Sequence, residues 1–141
     1  MKQAGCNEVD KSMNKMEEFN YTVEQFADLQ LLRYKVYGFE ELSLKQKELI
    51  YYLSQAALQG RDILFDQNGK YNLLIRKMLE TVYTEYQGDR TDVNFVNLET
   101  YLKRIWFSNG IHHHYASDKF VPGFTPEFLR DALNSVDALR S

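Results

Sequence analysis

The sequence predicts a mainly α fold of about five helices with one aromatic-polar loop. Three features carry that expectation. Apolar residues recur at three-to-four spacing over long stretches, capping signatures stand at the starts of those stretches, and one segment towards the C-terminus lacks a helical period. The first helix is expected from the capping box Thr22-Val23-Glu24-Gln25, with Phe26, Leu29, Leu32 and Val36 on one face and Gly38 as its end. Ser43-Leu44-Lys45-Gln46 repeats the box ahead of a second stripe, Leu49, Ile50, Leu53, Ala56, Ala57 and Gly60, whose small residues would let a neighbouring element approach closely. Asp66-Gln67-Asn68-Gly69 reads as a turn by composition. From Tyr71 onward, Leu74, Ile75, Met78, Leu79, Val82, Tyr83 and Tyr86 give a broad stripe on a third helix that stops at Gly88-Asp89. A fourth begins at about Asn94 and turns Phe95, Leu98, Tyr101, Leu102, Ile105 and Trp106 inward, with Lys103 and Arg104 outside. It breaks at Ser108-Asn109-Gly110. Residues Ile111 to Gly123 form the loop, the place for any short strand, and Thr125-Pro126-Glu127 opens a last helix striped by Leu129, Ala132, Leu133, Val136 and Leu139.

Composition narrows the function. At 141 residues, 44% hydrophobic and 26% charged, the chain fits one globular domain. Seventeen basic against 20 acidic residues leave a net charge of -3 and no basic stripe for a nucleic-acid backbone, so no nucleic-acid partner is expected. The sequence has no apolar run of about 18 residues, so no transmembrane segment is expected. One cysteine excludes an internal disulfide framework. Residues 1–20 are polar and read as a mobile leader, leaving 21–141 as the helical segment. As written, the chain is expected in the cytoplasm. Ala4-Gly5-Cys6 is similar to the end of a bacterial lipoprotein signal, and with a longer upstream segment Cys6 would become a periplasmic tether.

Few residues suggest chemistry. His112, His113 and His114 are adjacent, and on a strand His112 and His114 would share a face, but a catalytic zinc needs three protein ligands and an open position. No histidine is followed by glutamate as in zinc-peptidase helices, so the expected role is hydrogen bonding in a polar loop or lining a cleft. Glu40, Glu41 and Glu80 read as carboxylates of a solvated face. Trp106 reads as core, and the loop after it, on a helical scaffold, is where binding groups would be displayed.

Phe107-Ser108-Asn109-Gly110, the following His112 to Tyr115, and Asp118-Lys119-Phe120-Val121-Pro122 resemble the N-terminal lobe of the dipeptidyl peptidase III family of zinc exopeptidases, most closely its bacterial branch. Leu44-Lys45-Gln46-Lys47-Glu48-Leu49 and Gln55-Ala56-Ala57-Leu58-Gln59-Gly60-Arg61-Asp62 extend the resemblance. It implies a piece of the N-terminal lobe of a longer, two-lobed metallopeptidase that removes dipeptides from peptide N-termini. The family's zinc ligands and catalytic groups lie in segments this chain does not contain, so the chain alone is expected to bind no zinc and to be inactive. Its partners would be a peptide substrate and the remainder of the parent chain. The resemblance places Phe107 and Asn109 on the cleft side as substrate-binding residues, with a one-residue gap in the loop that follows them.

Two alternatives remain open: a free-standing, non-catalytic helical interaction module, and a metal-dependent enzyme built on the three histidines. The apolar stripe of the last helix runs almost to Ser141, which predicts an incomplete domain with an exposed apolar face at Leu129, Leu133 and Val136. The interaction module predicts a closed surface instead.

Overall fold

A computed structural model describes residues 19–136; the predicted leader, Cys6 and Leu139 lie outside these residues, apart from Phe19 and Asn20. The described residues divide into two compact units, one up to Tyr37 and one from Gly38.

The first unit corrects the predicted first helix. Its described part is an antiparallel hairpin, β1 (Thr22–Phe26) and β2 (Leu29–Leu32). Thr22 Oγ1, the expected helix cap, accepts across the ladder from Gln30 Nε2 at 2.9 Å, while Thr22 N donates locally to Asn20 Oδ1 at 3.0 Å. Ala27-Asp28 is the two-residue turn, with Ala27 in the left-handed region at φ 49°. The register shifts between Thr22 and Glu24, leaving Val23 as a bulge. Leu29 and Leu31 are more buried than Gln30 and Leu32, an alternation with the period of a strand. Arg33 closes the open end by donating from Nε to Asn20 O at 2.7 Å and lying over the Phe19 ring.

The second unit is mainly helical. After a single 3-10 turn at Phe39–Glu41 it contains α1 (Leu44–Gln59), α2 (Arg61–Asn68), α3 (Asn72–Glu85), α4 (Val93–Ser108) and α5 (Pro126–Ser135). The Ser43/Gln46 capping box is formed in full at the start of α1. Gly60, in the right-handed region, ends α1 and begins α2, so the chain bends there without leaving helical geometry. The predicted turn at Asp66-Gln67-Asn68-Gly69 is therefore the last turn of α2, ending at Gly69, because Phe65 is wholly buried and holds this segment helical.

The core is the stripe of α3 packed on the stripe of α4. Leu79 and Val82 meet Leu98, Leu102 and Ile105, with Phe65 from α2 and Ala132 from α5 closing the ends. Aromatic rings surround it: Tyr86 stacks on Phe95 at 5.2 Å, Trp106 meets Tyr83 edge-on at 6.3 Å, and Phe124 meets Tyr101 edge-on at 5.7 Å. Asp92 caps α4, and Thr125 caps α5 with Pro126 in its first turn.

The exposed apolar surface lies elsewhere than expected. Val136 is only 1% exposed, and Leu129 and Leu133 pack against the core, so α5 does not present the open face the sequence predicts. Among the described residues α1 buries none and exposes Leu44, Leu49, Tyr52 and Leu53. Ala56 and Ala57 are exposed as well, so no neighbour uses the close approach they offer. The core assignment predicts that Leu98→Ala costs about 2–5 kcal/mol, read as a fall in the denaturation midpoint, whereas Leu53→Ala leaves it nearly unchanged.

Candidate functional site

The end of α4 and the loop after it form the candidate site. Asn109 takes the left-handed conformation, φ 53° and ψ 38°, that ends α4, and its N–H returns to the Ile105 carbonyl. Gly110 then bonds back to the same carbonyl at 3.1 Å and redirects the chain. The loop is pinned by an isolated antiparallel bridge between His112 and Lys119, with Phe120 N donating to Ile111 O at 2.8 Å and His113 N to Asp118 O at 2.8 Å. This bridge is the strand-like pairing expected between Ile111 and Gly123, reduced to one residue pair.

Asn72 couples the loop to the helices. It is the first residue of α3 and 2% exposed, yet its Oδ1 reaches across to accept from Ile111 N at 3.3 Å. Two glycines make room for its amide. A Cβ on Gly69 would lie 2.9 Å from Asn72 Nδ2, and one on Gly110 would collide with the same nitrogen. A second asparagine supports the junction, Asn68 Nδ2 donating to Asn109 O at 3.2 Å.

The residues singled out in the sequence gather here. Phe107 is 37% exposed and meets the His114 ring edge-on at 5.0 Å. Asn109 is half-buried, and its side-chain amide has no protein partner among the described residues. His113 and His114 stack at 4.4 Å, and His114 also lies 4.1 Å from the Tyr115 ring. Tyr115 N donates to His113 Nδ1 at 3.3 Å. A cavity of about 320 Å³ opens among Asn72, Ser108, Gly110 and the three histidines. Among the described residues no three His, Cys, Asp or Glu side chains converge as metal ligands would. Ser108, Asn68 and Asn72 carry no sequence signal beyond turn and helix-end composition, so their convergence is visible only in the tertiary structure.

A second cluster corrects the reading of Glu80 as a solvated carboxylate. Glu80 Oε1 accepts from Trp106 Nε1 at 2.7 Å and lies 3.3 Å from Arg76 Nε, while Arg76 Nη2 donates to Asp62 at 2.7 Å and its guanidinium covers the Phe65 ring. Trp106 is thus half core and half hydrogen-bonded strut. The Arg76 guanidinium, then the Lys77 ammonium, holds the Asp62 carboxyl below its usual range. The Thr91 hydroxyl and then the Thr91 N–H lower Asp89 in the same way.

No protein-family model matches this chain, and no curated protein matches it. Among the described residues no helix is long and apolar enough to cross a membrane.

Two outcomes follow. Gly110→Ala should destabilise the unit by roughly 1–3 kcal/mol through overpacking on Asn72, read as a lower thermal midpoint. Asp62 has a folded pKa below 3.8, so its stabilisation is present above that value and is lost as pH falls through the folded pKa. Acid titration should therefore destabilise the native chain more than Asp62→Asn, a comparison of urea midpoints at neutral and acidic pH.

Proposed function

We propose that this chain is part of the N-terminal lobe of a zinc-dependent, dipeptidyl peptidase III-like exopeptidase that removes dipeptides from peptide N-termini. In this reading it supplies cleft wall and peptide grip, while the zinc and the bond-breaking groups belong to other segments of the parent. The observation that carries it is the sequence block from Phe107 through Pro122, whose conspicuous side chains gather on one surface after α4. Phe107 offers a half-exposed ring for a peptide side chain to pack on, and Asn109 offers an amide free to bond a peptide end. In the intact enzyme, a zinc-activated water would attack the second peptide bond with a glutamate as general base. None of those groups is assigned to this chain.

One observation favours the second reading, a non-catalytic helical interaction module: the apolar residues exposed along α1. The peptide grip separates the two. With zinc added, the 141-residue chain should release no dipeptide from arginine-rich peptides, and turnover would place the chemistry here after all. A tetrapeptide with a free N-terminus should shift the NMR resonances of Phe107 and Asn109, and Phe107→Ala should weaken that binding about tenfold. Shifts confined to α1 would favour the interaction module.

A further inference from the structure

Two residues lining the cavity at the histidine loop each carry a polar atom that the protein leaves unpaired. Asn72 Nδ2 and Ser108 Oγ are buried and have no hydrogen-bond partner, and their residues are 2% and 8% exposed. Buried polar groups in folded proteins are almost always satisfied, so two orphans lining one cavity call for an occupant.

The chemistry of that occupant follows from the donors. Asn72 Oδ1 is committed to Ile111 N, which fixes the amide so that its unpaired end is the NH2, a group that only donates. Ser108 can donate its hydroxyl proton. His113, another lining residue, accepts at Nδ1 from Tyr115 N. Among the described residues no acidic side chain lines the cavity to compete for these donors, and no lysine or arginine does either. At about 320 Å³ the space exceeds the roughly 30 Å³ share of one water many times over and reaches the lower end of small-ligand pockets.

We propose that this cavity binds a carboxylate group, with Asn72 Nδ2 and the Ser108 hydroxyl donating to its oxygens. Both atoms are shielded from solvent in this structure, so binding requires the turn over residues 113–118, which lines the same cavity, to move outward. That turn is closed by hydrogen bonds within itself, His113 N to Asp118 O at 2.8 Å and Ala116 N to His113 O at 3.1 Å. The inference is independent of the peptidase reading and concerns different side chains from Phe107 and Asn109.

The test is NMR titration of the full chain with sodium acetate against sodium chloride at matched ionic strength, followed by Ala-Ala against Ala-Ala amide. Acetate should give saturable shifts of the Asn72 side-chain amide and of the Gly110 and Ile111 backbone at concentrations on the order of millimolar. Ala-Ala should bind and its amide should not, if the source is a peptide C-terminus; acetate binding with rejection of both dipeptides would assign a small free acid. Asn72→Asp retains the acceptor for Ile111 N but replaces the donor with a negative oxygen, and should abolish binding. Ser108→Ala, which touches no other bond, should weaken it about tenfold. Shifts equal to those with chloride would overturn the proposal and leave ordered water as the occupant, as would unchanged acetate affinity in folded Asn72→Asp or Ser108→Ala. Equal binding of Ala-Ala and its amide would overturn the carboxylate in favour of a neutral carbonyl.

Discussion

Burial of one stripe of α3 against one stripe of α4 is the constraint from which the helical unit follows. Leu79 and Val82 on one side, and Leu98, Leu102 and Ile105 on the other, are almost completely removed from water. At about 25 cal/mol per Å² of apolar surface, this contact is the dominant favourable term available to a unit of this size. Everything at the ends of the pair is placed by it. The start of α3 carries Asn72, the end of α4 carries Ser108 and Asn109, and the two ends meet at the candidate site.

The join at that end is polar, which gives it a different character from the core. An apolar side chain at position 72 would fill space without fixing direction. The Asn72 carbonyl oxygen instead holds Ile111 N at a set distance and orients the first residue of the loop. Gly69 and Gly110 are needed because the amide occupies the space their side chains would take. The loop carrying the three histidines thereby acquires a fixed root, while its tip is held by hydrogen bonds and ring contacts of its own. One turn further along α3, the Arg76 cluster joins α2, α3 and α4 through paired charges and an indole N–H. There Arg76 Nε makes no hydrogen bond but lies 3.3 Å from the Glu80 carboxylate, whereas in the cavity Asn72 Nδ2 and Ser108 Oγ have no charged partner beside them.

Much of the helical unit was legible in the sequence. The stripes of α3 (apart from Leu74, which is exposed while Leu73 packs on the core), α4 and α5, the Ser43 box and the Thr125-Pro126 start are local signals, and local physics suffices to form them. The hairpin was not legible by the same means. Thr22-x-x-Gln25 satisfies a helix-start pattern, and Phe26, Leu29 and Leu32 satisfy a helical period, but Leu29 and Leu31 equally satisfy a period of two. Short apolar runs do not distinguish the two periods; cross-strand bonds such as Gln30 to Thr22 do, and they form between residues eight apart. The segment at Asp66 to Gly69 was misjudged for a related reason, since turn-forming composition yields to the burial of Phe65. Within the site, Phe107, Asn109 and the histidines stood out as residue types, whereas Asn68, Asn72 and Ser108 did not.

The sequence by itself determined that this protein is mainly helical, where most helices start, and that its unusual side chains follow the fourth expected helix. These are properties of neighbours three or four residues apart, for which chemistry and spacing are enough. Only the tertiary structure decided that α5 buries its apolar face and α1 does not, that Glu80 bonds Trp106, and that Asn72 lies beneath a loop beginning 39 residues later. Those outcomes depend on which surfaces meet. That choice is settled by packing of the whole unit, because an apolar stripe favours burial without specifying whether a partner is there to supply it.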